Sequence, residues 1–238
     1  MINSLNLECY CICFYKKGQL CAELGILVHM LSSLSGLDLL IVFLSIILSL
    51  SIHEAMHAFT AHALGDTTAH EEGRLTLNPL KHIDAVTTVL LPMLLIVFGL
   101  PPFFVAKPVP FNPARVKYDE FGAALIGIAG PFTNFALAAI AALVIRIAGI
   151  GVGTEVFNAL SIFIQINLGF FVFNMIPFPP LDGSRLLYAF APEPLQRVMY
   201  QIESAGFMTI LVFMFLFFPF LSPIVTNLMS GLYQFLLG

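Results

Sequence analysis

The sequence predicts an all-α polytopic membrane protein. Of its 238 residues, 59% are hydrophobic and only 10% are charged, whereas soluble domains are about 45–50% apolar and about 25% charged. Several apolar runs are long enough to cross a lipid bilayer as helices, which takes about 20 residues. The net charge of −4 is dispersed, and no block of like charges indicates a nucleic-acid partner.

Residues 1–36 are expected to form an N-terminal leader before a single membrane domain at residues 37–238. All four cysteines lie in the leader, at spacings that miss the C-x2-C pattern of zinc sites. Lys16 and Lys17 follow its apolar patch instead of preceding it, unlike the charges of a cleavable signal peptide. Two alternatives stay open: a loosely ordered or short membrane-associated leader, or a true start at Met30.

The first predicted span covers residues 37–64 and ends at Gly65, a typical helix stop. A polar link follows, and then an apolar run at residues 86–105 that three prolines interrupt. Such a run is either a full crossing or a re-entrant segment.

Three further apolar segments complete the predicted bundle. The second span, residues 121–147, is rich in small residues that permit close helix contact. The third, residues 156–176, breaks at PFPP and resumes at LDGSRLLYAF. Residues 206–237 form either one long kinked helix or a short hairpin.

A metal-binding pattern lies near the end of the first span. His53 and His57 are four residues apart, about 40° apart around a helix axis, so both can bind one metal ion from the same face. Glu54 then lies beside the first ligand, where it can take a proton from metal-bound water. Ionisable residues inside a membrane helix are costly and mark a functional site by default.

Asp182 is the best candidate for the third ligand that catalytic zinc usually needs. It is the only ionisable residue between positions 156 and 184, and it follows the helix break NMIPFPPLDG. Irregular backbone at membrane depth must be shielded by protein or line a wet cavity. The alternative is a helix N-cap, because Asp before Gly-Ser caps well. His62 lies about 180° around the helix from His53 and is expected to face away.

Taken together, HEAMH and the later NMIPFPPLDGSRLL resemble the site-2 protease family of intramembrane zinc metalloproteases. The segments GRLTLNPLKHID, AKPVPFNP and AGPFTN look like the prokaryotic branch of that family, in the family's order. The resemblance implies a prokaryotic cell membrane and hydrolysis of membrane-spanning protein substrates. It also implies Glu54 as the general base and Asn174 as a polar group near the scissile carbonyl. The implied ligands of one zinc ion per chain are His53, His57 and Asp182.

The ligands must meet at one depth in the membrane, and this decides the predicted topology. A full crossing by residues 86–105 would place the histidine pair and Asp182 at opposite faces, so we expect this run to enter and leave on one side. Lys and Arg then number seven on the catalytic side and three on the other, which predicts a site toward the cytoplasm. The other topology gives the same ratio, so only the ligand geometry distinguishes the two.

A substrate helix hides its peptide bonds and must be unwound before cleavage. We hypothesise that residues 74–77 or 103–109 pair with it as an edge strand, with an ordinary loop as the alternative. The expected fold is therefore a bundle of transmembrane helices with a broken ligand-bearing helix and a re-entrant or short β element near the site.

Two other functional classes remain open. A metal transporter would carry ligands on several helices along a path, and a membrane scaffold would not need Glu54. His82 and Asp84 are expected to form a structural turn, and Asn134 to hydrogen-bond between helices.

Overall fold

The computed structural model describes residues 35–90, 92, 107 and 109–238, so residues 1–34 of the expected leader lie outside the described part. The described residues form helices and no β-strand. The helices are α1 (Gly36–Ala63), α2 (Thr68–Glu71), α3 (Asp119–Ile147), α4 (Glu155–Asn174), α5 (Gly183–Phe190), α6 (Glu193–Ser204), α7 (Phe207–Val212) and α8 (Phe218–Leu237). Short 3-10 turns cover Pro79–Lys81 and Pro113–Arg115, and π-helical segments cover Ala85–Leu90 and Phe213–Phe217.

Four helical segments within the described residues are long and apolar enough to cross a membrane: Gly36–Ala63, Asp119–Ile147, Glu155–Asn174 and Met208–Leu237. They confirm the three predicted spans and imply a lipid bilayer as the surroundings of the protein. The last segment, 30 residues long, is continuous helix through α7, the π segment and α8. The long-helix alternative for the C-terminal stretch is therefore correct, and the hairpin is wrong.

Local sequence signals set both ends of α1. Its first turn is closed by a capping box, in which the Ser35 hydroxyl accepts from the Asp38 amide and the Asp38 carboxylate accepts from the Ser35 amide. Its last turn stops at Gly65, whose φ of +102° belongs to the left-handed region that glycine adopts without strain.

Helix α3 lies at the centre of the bundle and packs against α1, α4 and α5. Alanines on one face of α3 (Ala138, Ala141 and Ala142) are buried against Ile164 and Leu168 of α4. Small side chains let two helix backbones approach closely, which favours helix association in a membrane. The small residues of the second predicted span therefore form the close helix contact that the sequence predicts.

The chain between α1 and α3 leaves and returns at the same end of the bundle. The amide of Lys117 donates a hydrogen bond of 2.9 Å to the carbonyl of Leu64, joining the end of α1 to the start of α3. This contact brings the two ends of the link together, and the re-entrant course of the apolar run between them stays a prediction. Residues 93–106, which hold most of that run, lie outside the described part, and residues 74–77 form no strand.

Candidate metal centre

Helix α1 delivers both histidines into the interior of the bundle. His53 and His57 are 4% and 8% exposed, and their imidazole rings meet edge to face with centroids 4.6 Å apart. Helical spacing therefore directs both rings toward the same point, as the i, i+4 pattern predicts.

Asp182 reaches this point from the break after α4. Gly183, the next residue, fits tightly under the end of α4, because a Cβ on it would lie 2.5 Å from the carbonyl oxygen of Met175. Only glycine lets the chain fold back so closely. The Asp182 side chain makes no capping hydrogen bond to α5 and faces the histidines instead, so the cap alternative is wrong.

The three side chains converge at distances that suit a tetrahedral zinc ion. The Nε2 atom of His53 lies 3.0 Å from both Oδ2 of Asp182 and Nε2 of His57, and the remaining edge, from His57 to Asp182, is 3.4 Å. Ligand atoms about 2.0–2.1 Å from a tetrahedral zinc are about 3.3 Å from one another. No side chain intrudes at Gly130 of α3, where a Cβ would lie 2.6 Å from Nε2 of His53.

The outer nitrogens of the two rings fix the tautomers that a metal needs. Nδ1 of His53 lies 2.6 Å from Oδ1 of Asn134, and Nδ1 of His57 lies 2.6 Å from the carbonyl oxygen of Ile126. Because both partners are acceptors, each Nδ1 carries the proton as donor. Both Nε2 atoms then present lone pairs to the metal position, which is the usual arrangement around histidine ligands.

A chain of amides extends this support to α4. Asn134 is fully buried and donates 2.9 Å to Oδ1 of Asn167, which is also fully buried. Asn167 in turn donates 2.9 Å to the carbonyl of Phe163. The expectation that Asn134 hydrogen-bonds between helices is confirmed. Asn167 was not predicted from the sequence, although a polar amide inside an apolar span is itself a signal of function.

The two expected catalytic side chains differ in their contacts. The Glu54 carboxylate accepts a hydrogen bond of 3.2 Å from the amide of Val109 in the segment before α3. Asn174, the last residue of α4, donates 3.1 Å to the carbonyl of Phe170 in its own helix. Asn174 therefore lies at the helix break that precedes Asp182, and it makes no hydrogen bond to the three proposed ligands.

The other histidines in the described part of the chain do not join the centre. His62 is exposed and stacks on His70, with centroids 5.6 Å apart, and so faces away from His53 as expected. His82 is buried and bonds through Nε2 to the carbonyl of Thr76. Asp84 accepts from the amides of the next helical turn, in agreement with the structural turn expected here.

Comparison with known proteins finds several bacterial relatives. The chain is 38% identical over 178 residues to the "Putative zinc metalloprotease YwhC" of Bacillus subtilis, covering 71% of this chain and 77% of the relative. It is 29% identical over 169 residues to the "Putative zinc metalloprotease Rip2" of Mycolicibacterium smegmatis, covering 70% of this chain and 63% of that one. Rip2 of Mycobacterium tuberculosis is 28% identical over 193 residues, covering 80% and 70% respectively.

Neither a family model nor a solved structure matches this chain. The names of the relatives imply zinc, and a centre that could hold it is present. Among the described residues, the one group of three metal-ligating side chains with all ligand atoms within 4.8 Å of one another is His53, His57 and Asp182.

Proposed function

Because this chain belongs to the zinc metalloprotease family that includes YwhC, we propose that it is an intramembrane metalloendopeptidase of the site-2 protease type. The observation that carries the proposal is the convergence of His53, His57 and Asp182 inside a bundle of membrane helices. A soluble protease would not place its metal ligands on a helix of this apolar composition. The peptide bonds within reach of such a site are those of other membrane-spanning proteins.

Glu54 acts as the general base in this proposal. A zinc ion held by the three ligands would lower the pKa of its water and polarise the scissile carbonyl. The Glu54 carboxylate takes a proton from the attacking water and then gives it to the leaving amide nitrogen. Its place next to His53 in the chain supports this role.

Asn174 is proposed to bind the substrate carbonyl. Its hydrogen bond to Phe170 uses one of the two amide hydrogens, and the other can stabilise the developing oxyanion. Its position at the helix break, beside the turn that carries Asp182, supports this role.

The active site is proposed to lie toward the cytoplasm of a prokaryotic cell. The loop that joins α1 to α3 and the short helices α5 and α6 belong to the catalytic end of the bundle. Seven of the ten Lys and Arg residues lie there: Arg74, Lys81, Lys107, Arg115, Lys117, Arg185 and Arg197. This bias favours the cytoplasmic side.

A cleavage assay with the purified full chain tests the proposal. Tagged single-span membrane proteins are incubated with it in lipid vesicles, before and after a chelator removes the metal. Metal-dependent cleavage within a span, restored by added zinc, is expected. Zinc uptake into the vesicles without cleavage would favour the transporter, and absence of both activities would favour the scaffold.

A further inference from the structure

A short segment before α3 lies across the proposed base. We call residues 109–112 the strap. Its first amide, that of Val109, is the donor to the Glu54 carboxylate at 3.2 Å. The strap is thus the one described part of the chain outside α1 that holds the side chain of Glu54 by a hydrogen bond.

The other end of the strap is anchored by a buried carboxylate that the proposed mechanism leaves unused. The amide of Asn112 donates 2.7 Å to Oδ2 of Asp66, and Asp66 is fully buried. Its other oxygen, Oδ1, accepts from the amide and the hydroxyl of Thr68. Both oxygens of Asp66 are therefore occupied, and they join the end of α1 to the strap.

The charge state of Asp66 suits this anchoring role. Burial by itself would raise the pKa of the Asp66 carboxyl, but hydrogen bonds from Thr68 and from the Asn112 amide lower the pKa below its ordinary value. The side chain is an ionised acceptor at neutral pH, and hydrogen bonds to a charged acceptor are stronger than those between neutral groups.

A second contact fixes the middle of the strap. The guanidinium of Arg185 lies over the ring of Phe111, 5.4 Å from its centroid, which is within cation–π range. Arg185 follows Asp182 by three residues and forms an ion pair with Glu203 of α6. The strap is therefore attached both to the end of α1 and to α5, the helix that begins directly after Asp182.

The strap has few free amide donors for pairing with a substrate strand. Pro110 has no amide hydrogen, and those of Val109 and Asn112 are already bound to carboxylates. A segment with so few free donors makes a poor edge for an added strand. This argues against residue 109 as part of the substrate-pairing strand and favours a role in holding the protein's own side chain.

We propose that Asp66 is a positioning residue for the base: it holds the strap through Asn112, and the strap holds the Glu54 carboxylate through the amide of Val109. A catalytic group must stay within about 0.5 Å of its productive position, and one amide donor restricts a carboxylate that would otherwise rotate freely. This inference rests on the proposed role of Glu54 as the base.

The test compares Asp66→Asn with Asp38→Asn in the full-length, zinc-loaded protein. Asparagine has one acceptor oxygen, so it can serve Thr68 or Asn112 but not both. Asp38 also binds backbone and hydroxyl donors, but at the opposite end of α1, and its variant is the matched control. Zinc content, kcat, KM and hydrogen–deuterium exchange of peptides covering the strap are measured for each.

Asp66→Asn should lower kcat by about tenfold or more, since a general base contributes about 10²–10⁴, with KM within about twofold. Zinc stays near one per chain, and exchange becomes faster in the strap but not in α3 or α4. Unchanged exchange and kcat, or a loss of zinc in proportion to activity, would overturn the inference.

Phe111→Leu is the second variant, because it removes the ring that Arg185 contacts and keeps the Asp66 carboxylate. If both act through the strap, the double variant should lose less activity than the product of the single losses. Independent, multiplicative losses would count against a shared route. The variant Glu54→Gln separates this inference from the proposed function. If Glu54→Gln is inactive while Asp66→Asn behaves like the wild type, only the inference about the strap fails. If Glu54→Gln remains active, the assignment of the base is wrong.

Discussion

Gly130 of α3 faces Nε2 of His57 so closely that a Cβ at this position would lie 2.4 Å from that nitrogen. Real Cβ atoms do not approach a nitrogen to this distance, and the neighbours are the metal-facing atoms themselves. Any side chain at position 130 must therefore push α3 away or displace the histidine rings.

Gly130→Ala should for this reason abolish zinc binding and proteolysis while leaving the protein inserted in the membrane. The metal content of the purified protein is the direct measurement. Gly169→Ala in α4 is the matched control, because its new methyl group would meet only the end of the Met229 side chain at 3.4 Å. Zinc retention by Gly130→Ala would mean that the ligands do not converge as described.

Glu54→Gln should stop proteolysis and leave zinc near one per chain, because the proposed base is not a ligand. The substitution keeps the size of the side chain and removes its ability to take a proton. Cleavage rate and metal content are measured on the same sample. Continued cleavage by this variant would contradict the assignment of the base.

Asp182→Ala should lower both zinc occupancy and activity, since it removes one of three protein ligands. Asp84→Ala is the comparison, because Asp84 binds the amides of its own turn and no ligand. A variant of Asp182 that kept its metal and lost only thermal stability would point to a structural role for this carboxylate.

Asn134→Ala should weaken zinc binding by about 10–100-fold, the usual cost of removing a partner of a histidine ligand. It leaves Nδ1 of His53 without its acceptor, so the ring can turn or exchange tautomers. Competition with a chelator of known affinity measures the change. Asn167→Ala should act in the same direction through Asn134, and the two losses should not add fully. Affinity equal to that of the wild type would show that packing alone orients the ring.

Single cysteines at Thr67 and Tyr118 should be labelled from the same side of the membrane by an impermeant thiol reagent, in a background without the four native cysteines. The hydrogen bond between Leu64 and Lys117 joins the two chain ends that these positions flank. Labelling from opposite sides would mean that residues 86–105 cross the bilayer, and the contact between α1 and α3 would then be incorrect.

Patterns short enough to be local were readable in the sequence. The extent of α1 follows from an apolar run with a glycine stop, and the histidine pair follows from the i, i+4 spacing of one helix. Asp182 could be selected because a single ionisable residue in an apolar segment is conspicuous. Spacing alone could not decide whether Asp182 is a metal ligand or a helix cap, because both roles place the residue at the start of a helix.

Contacts between distant segments were decided only by the tertiary structure. Asn167 lies 33 residues from Asn134, and the amide of Val109 lies 55 residues from Glu54, so neither pairing has a periodicity that a sequence can display. Nothing in the sequence around Asp66 indicates a special role, because its contact with Asn112 of the strap exists only in the folded protein. Helix propensity and hydropathy depend on near neighbours along the chain, whereas the support of the proposed metal centre depends on which polar groups the packed helices bury together.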